Sequence, residues 1–444
     1  MMAGGNSADG KRTDRSGADG DGGDRGGATA DERFLARLEA AAGATLSTLE
    51  LPAGPVPMVA PEDLSGAAEV LRLCSGEGRR VLPLGRGTKL GWAPPIGPVD
   101  VALSTRRLTG IVAHEPADGT ITALSGTTLA ELAATAALGG GAITPLLPDA
   151  VSATLGGALS SGQDGLDRLR RGAPRDHVLG ARLLLTDGTL VKSGGRLVKN
   201  VTGYDLHRLV CGAHGGLALI VEASLRLFSE PRATALIRVR YDDFEPACAD
   251  ALAHGRGADS PRRVTLRREA GGVLLEIELA ASCVEVDEQS TALHRKLPSP
   301  ERLDLPASAA RTEDTAARAI ITTRPARMAS LVRSIEQLTG ELGSGHLGLV
   351  EPCLGRATVR FDGEAGEIER FAAGLNRLEP TGARIQWRDR PRPAVDSAWA
   401  YGAAETGETE GRRVVERTAG VALANRIRRA LDPTSTLVPR SGGA

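Results

Sequence analysis

Between about residues 235 and 390 one order of elements occurs twice, and this echo limits the fold more than any other feature of the chain. Ala235–Tyr241 reads as a strand, Pro246–His254 has helical spacing, and Val264–Arg268 and Val273–Leu279 read as two more strands. A helical stretch follows to about Leu297. The order then recurs. Ala319–Thr323 is strand-like, Ala326–Leu342 helical, His346–Val350 and Ala357–Phe361 strand-like, and Ile368–Leu378 helical. Two β-α-β-β-α units side by side give one sheet covered by helices on a single face, a ferredoxin-like duplication. A Pro-rich break at 298–306 is expected between the copies, and the arginines on the helices read as solvated faces.

The preceding half has a different texture. Val81–Leu84 and Val99–Leu103 read as short buried strands. Gly110–His114 and Thr120–Ser125 flank Asp118-Gly119, and Leu179–Leu185 and Leu190–Lys192 flank Asp187-Gly188; both dipeptides signal hairpin turns. Thr128–Leu138 is helical and stops at Gly139-Gly140-Gly141, and Ala218–Phe228 closes this half as a strand. The expectation is therefore an α+β chain: a domain over 50–230, a second over 235–390, and a C-terminal segment over 415–444. Residues 1–30 are Gly, Asp, Ser and Arg with almost nothing apolar. Such a segment cannot bury enough surface to offset its ordering entropy, so disorder is expected there. Phe34, Leu35, Leu38 and Ala41 then recur at helical spacing.

Composition excludes several functions. Basic and acidic residues nearly cancel, 54 against 55, so no global field draws the chain to nucleic acid. Aromatic residues are 2%, too few for base-stacking platforms. Cys74, Cys211, Cys248, Cys283 and Cys353 lie far apart, without the clustered spacing of zinc or iron–sulfur sites. The scattered, odd set fits a reducing compartment. No apolar run reaches 18 residues and no signal-peptide core is seen, so a cytoplasmic location is expected, with contact to the inner membrane only through partners.

Three stretches carry the chemistry. Pro83-Leu84-Gly85-Arg86-Gly87-Thr88-Lys89-Leu90-Gly91 takes a strand into a turn with two glycines; without a Cβ the backbone can close on an anion and offer it several N–H groups. Neither the Rossmann fingerprint nor the P-loop pattern is met. Pro148-Asp149 precedes Thr154-Leu155-Gly156-Gly157 and Ser160-Ser161-Gly162, where small residues suit either a buried helix or close approach to a flat ligand. The run Arg196-Leu197-Val198-Lys199-Asn200-Val201-Thr202-Gly203-Tyr204-Asp205-Leu206, followed by Gly212-Ala213-His214-Gly215-Gly216-Leu217-Ala218-Leu219-Ile220-Val221-Glu222-Ala223, mixes glycines with basic, amide, hydroxyl and carboxylate groups.

In this order and at these separations the three stretches resemble the FAD-binding domain of the vanillyl-alcohol-oxidase type, also named after p-cresol methylhydroxylase. Within that family the run from Arg196 to Leu206 is most similar to the FAD-binding subunits of bacterial glycolate oxidases. The resemblance implies a two-subdomain FAD-binding domain over about 50–230, followed by an α+β cap. It implies that Pro83, Leu84, Gly85, Arg86, Gly87, Thr88, Lys89 and Leu90 hold the FAD diphosphate. It places Pro148, Asp149, Thr154, Leu155, Gly156, Gly157, Ser160, Ser161 and Gly162 beside the diphosphate and flavin ring. Gly203, Tyr204, Gly216, Ile220 and Val221 complete the implied cofactor set. Several relatives attach the flavin covalently through a His; the corresponding position here is Thr88, which implies non-covalent FAD. Arg86, Lys89, Arg196 and Lys199 would balance cofactor charge. The segment from Ile427 to Pro439 resembles the closing stretch of such oxidases, where the chain returns to the flavin domain.

The match departs in the cap. Catalytic 2-hydroxyacid dehydrogenases of the family carry a histidine-rich signature there, and only His346 in Ser344-Gly345-His346-Leu347-Gly348 corresponds to it. A lone His is no metal site, so none is expected. The resemblance therefore implies a flavoprotein subunit acting with a paralogous catalytic flavoprotein and an iron–sulfur subunit on a small 2-hydroxyacid such as glycolate. Two alternatives stay open: an assembly subunit with structural or no FAD, and a self-sufficient dehydrogenase of another substrate.

Overall fold

A computed structural model describes residues 29–51, 53–90, 97–143, 152–162, 164–165, 167–196, 203–255, 261–305, 319–343, 345–361, 365–378, 383–387 and 423–438. The expected disordered tail thus lies outside the described residues up to residue 28. Thr29 already caps the first helix, accepting from the Glu32 N–H while the Glu32 carboxylate takes the Thr29 N–H.

The first layer contains α1 (Ala30–Ala42), β1 (Ser47–Leu51), β2 (Gly54–Val59), α2 (Leu64–Gly76), β3 (Val81–Leu84) and β4 (Val101–Ser104). The sheet order is β1-β2-β4-β3, with β2 and β3 both parallel to β4. Parallel strands need a crossover, and α2, N-capped by Asp63, supplies it. Leu38, Leu71, Val81 and Leu103 form the core beneath.

The second layer contains β5 (Ile111–Glu115), β6 (Thr120–Leu124), α3 (Leu129–Leu138), β7 (Gly141–Ala142), α4 (Leu155–Ser161), α5 (Arg168–Arg171), β8 (Val178–Leu184), β9 (Leu190–Gly194), α6 (Leu206–Leu209), β10 (Leu219–Arg226) and β11 (Phe228–Ser229). Its main sheet runs β5-β6-β10-β8-β9, antiparallel throughout. Both expected hairpins form, and Gly119 closes the first at φ 62°. Strand alternation splits β10 between two cores. Leu219 and Val221 join the first layer, while Ile220, Ala223 and Leu225 pack with Leu129, Leu132 and Leu155.

The third unit contains β12 (Ala233–Tyr241), α7 (Phe244–His254), β13 (Arg263–Glu269), β14 (Gly272–Ala281), α8 (Cys283–Lys296), β15 (Glu301–Leu305), β16 (Ala319–Thr322), α9 (Met328–Leu342), β17 (His346–Glu351), β18 (Arg356–Arg360), α10 (Ala365–Asn376) and β19 (Arg384–Trp387). One antiparallel sheet runs β15-β12-β14-β13-β17-β18-β16-β19. The two copies are mirror-ordered and meet where Leu266 opposes Val350. Each copy is one strand longer than the sequence pattern suggests, β-α-β-β-α-β. The expected break at 298–306 holds β15, which pairs with β12 from Thr234↔Leu305 to Arg238↔Glu301. Its sequence Glu-Arg-Leu-Asp-Leu hides it, because an edge strand keeps charged residues.

Ile237, Val239, Leu275, Ile277, Ile321, Ile335 and Phe371 form the core on the helix-covered side of that sheet. The other face carries ion pairs: Arg238–Glu276 at 2.9 Å, Arg262–Glu278 at 3.4 Å and Arg356–Glu351 at 2.5 Å. The segment that follows α4 reaches these pairs through Asp164–Arg356 (2.8 Å) and Asp167–Arg262 (3.0 Å). Residues 423–431 are helical, and Leu437 pairs in parallel with Val81 of β3.

Candidate functional site

The C-terminal ends of the parallel strands β3 and β4 open on the same rim, where ligands of parallel sheets usually sit. The first glycine turn leaves β3 there. The Ser104 hydroxyl donates to the Gly85 carbonyl at 2.7 Å and the Thr105 N–H to the Leu84 carbonyl at 2.9 Å. The Leu90 N–H donates to Gly87 O at 3.1 Å, and Gly87 holds φ +77°, a region open to glycine but costly for β-branched residues.

The second stretch forms α4. The Thr154 hydroxyl caps it, accepting from the Gly157 N–H at 3.3 Å. A Cβ placed on Gly85 would lie 2.0 Å from that same hydroxyl, so the turn and the helix start are in direct contact. A Cβ on Gly156 would meet Ser125 Cβ at 2.8 Å, and the Gly156 N–H donates to Ser125 O at 2.8 Å. The small residues of this stretch therefore serve both readings, a tightly packed helix and a wall without side chains.

The third stretch staples the other two. The Gly212 N–H donates to Leu159 O at 3.0 Å and the His214 N–H to Ser160 O at 2.8 Å. A Cβ on Gly215 would lie 3.1 Å from Pro83. His214 is buried with φ 51°, an uncommon conformation for a residue with a side chain.

Together they line one open cleft. Its wall holds the expected Pro83, Leu84, Gly85, Arg86, Gly87, Thr88, Lys89, Leu90, Thr154, Gly156, Gly157, Ser160, Ser161 and Ile220. Leu155 and Val221 lie in the cores behind it. Gly162, the left-handed end of α4, and Gly216 support the wall without lining it. Gly203 and Tyr204 are not brought to it. Tyr204 is 91% exposed, and its carbonyl accepts from the Ser193 hydroxyl. Pro148, Asp149 and Lys199 lie outside the described residues. Sequence reading missed Thr105, while His214, Gly215, Ala218 and Leu219 lie inside the third stretch without having been singled out. Thr105 was findable, since it follows β4 directly and the ends of adjacent parallel strands share a rim.

The electrostatics have one sign. Among the described residues no carboxylate lines the cleft, whereas Arg86 and Lys89 do, and Lys89 is buried. His177 and His207 lie elsewhere. The His207 ring is buried with Nδ1 2.9 Å from the Ser193 hydroxyl, and the His177 Nε2 lies 2.6 Å from Arg171 O. Burial holds both imidazoles below the usual His range, so they stay neutral. His346 is exposed on β17, and no group of three or more His, Cys, Asp or Glu able to hold a metal occurs among the described residues.

A glycine turn, two cations and a wall of small residues suit a dinucleotide with a diphosphate. A family model described as an FAD binding domain matches residues 55–194. The chain carries an FAD-binding domain. The three stretches resemble the p-cresol-methylhydroxylase type of such domains. The glycolate oxidase subunit GlcD of Bacillus subtilis is 29% identical over 196 residues, 44% of this chain and 41% of that protein. The D-lactate dehydrogenase of Archaeoglobus fulgidus is 30% identical over 191 residues, 43% of this chain and 42% of that protein. The glycolate oxidase subunit GlcE of Escherichia coli is 38% identical over 138 residues, 31% of this chain and 39% of that protein. The matched region thus spans about two fifths of each relative. An alkyldihydroxyacetonephosphate synthase shares the fold, with a TM-score of 0.60 at 14% identity over 86% of this chain and 75% of that one. No helix of the described residues is long and apolar enough to cross a membrane.

Proposed function

We propose that the chain is a flavoprotein subunit that holds FAD non-covalently and takes part in oxidising a small 2-hydroxyacid such as glycolate. In this reading it works beside a paralogous catalytic flavoprotein and an iron–sulfur subunit, in the cytoplasm, and meets the inner membrane only through those partners. The observation that carries it is the positive, glycine-lined cleft that joins three distant stretches at the end of β3. The names of the relatives support the substrate class.

The residues divide the work. The Gly85–Thr88 backbone, with Lys89 and Arg86, faces the diphosphate. Thr154, Gly156 and Gly157 let the cofactor pass close to backbone, and Ser160, Ser161 and the 218–220 strand start border the ring. When bound, FAD supplies the acceptor for a hydride equivalent; the protein supplies binding and orientation. Thr88, at the position where some relatives attach the flavin, cannot form a histidyl bond.

Purified chain should be yellow, and acid precipitation should release one FAD per chain into the supernatant. Anaerobic glycolate or D-lactate should bleach it slowly alone and quickly once the paralogue is added. Flavin that stays in the acid pellet overturns the non-covalent assignment. A colourless protein that binds no added FAD overturns the cofactor role.

A further inference from the structure

We infer that Asp432 is a positioning residue for the diphosphate turn; this rests on the reading of the cleft as the FAD site. In the first sheet β3 is the edge strand, with β4 on one side only. Its outer side is covered by the far end of the chain. The Val81 N–H donates to Thr436 O at 2.7 Å, and the Val438 N–H donates to Val81 O at 2.8 Å. Four residues beyond Val81 stands Gly85. The strand that presents the turn is therefore held from both sides, by Thr105 on β4's side and by residues 436–438 on the other.

Asp432 is what bends residues 432–438 into this place. It is 1% exposed. Its Oδ1 accepts from the Thr436 N–H at 2.9 Å and its Oδ2 from the Leu437 N–H at 2.8 Å. Ser435 takes φ 55° to close the loop. The Thr434 hydroxyl adds a link to Ser75 of α2 at 2.9 Å and to Thr436 Oγ1 at 2.8 Å. Both carboxylate oxygens are thus committed to N–H groups of the residues that cover β3. An amide at this position can accept through one atom only, and turns donors toward a donor at the other. Asp432→Asn then frees residues 436–438 and leaves β3 a mobile edge, so the turn loses its fixed aim at the cofactor.

The test uses the full chain, freed of flavin, with FAD titrated by its fluorescence and unfolding followed by heating without FAD. Leu331→Ala, in the core under α9 and far from the cleft, is the control for general destabilisation. Asp432→Asn should raise the FAD Kd tenfold or more at a temperature where all variants are folded. Leu331→Ala should stay within twofold of wild type even if its Tm falls as far. An Asp432→Asn Kd within twofold of wild type overturns the inference. So does a Leu331→Ala loss of affinity that matches its Tm loss in the same proportion. Wild type that binds no FAD overturns the cofactor reading instead, and is told apart because it needs no variant. Should Asp432→Asn not fold, Thr434→Val, which removes only the hydroxyl contacts, should raise Kd two- to fourfold, and an unchanged value counts against the role.

Discussion

In the cleft wall, a Cβ added at Gly85, Gly156 or Gly215 would lie 2.0, 2.8 or 3.1 Å from Thr154, Ser125 or Pro83. Under the cap sheet the equivalent space is filled: Phe371 is fully buried and its ring centroid lies 5.2 Å from that of Phe361. One region works by leaving side chains out, the other by packing them in. The cleft is held by backbone hydrogen bonds between loops, the cap by regular strands and a continuous core. Substitutions should therefore separate cofactor binding from stability, each region failing in its own way.

The largest effect is expected in the cleft. Gly85→Val should abolish FAD binding while the chain still folds, because its Cβ would overlap the Thr154 hydroxyl. Gly87→Val should do the same, with about 1–3 kcal/mol of backbone strain at its positive φ. Flavin absorbance per folded chain measures both, and stoichiometric FAD in either variant breaks the contrast. In the cap, Phe371→Ala should cost about 3–5 kcal/mol by urea unfolding, as large-to-small core changes do. Its folded fraction should keep FAD, and a flavin-free folded fraction would merge the two regions into one.

Arg356→Ala tests the seam between them, since Arg356 meets both Asp164, just past α4, and Glu351 of the cap. About 1–3 kcal/mol should be lost, and Asp164→Ala in the same chain should add less than its own single effect. A fully additive pair would mean that the contact does not couple the regions. The smallest effect concerns pH. Burial lowers the pKa of His207 below its usual 6.5, so the unfolded chain binds the proton first. Stability should be level above pH 6.5 and fall as pH drops below it. His207→Gln should make that fall shallower in thermal melts, and an unchanged slope would assign it to other groups.

Much of this contrast was legible in the sequence. The duplicated cap was visible because its buried strands and helices keep their periods, as in α9 with Leu331, Val332, Ile335 and Leu338 all inside. Its edge strands β15 and β19 were not, since Glu301-Arg302-Leu303-Asp304-Leu305 becomes a strand only through pairing with β12. The glycine stretches of the cleft were legible because a Cβ is excluded there. His214 lay inside the third stretch but was not singled out: it reaches the wall through an αL backbone and a bond to Ser160 O, neither of which residue type or spacing signals. Tyr204 was misleading for the opposite reason. A rich local composition attracts attention, yet the ring points to solvent.

The tie between α2 and the chain's far end has a consequence for the order of assembly. Ser75 and Thr434 touch although 359 residues separate them. During synthesis the β3 strand is made long before its outer neighbour exists, so for that interval it presents an open edge. Contacts of such separation are formed late and slow folding. The flavin turn is thus among the early parts to be made and among the last to be set, which gives the nascent chain an interval in which added FAD has only a half-built place to bind.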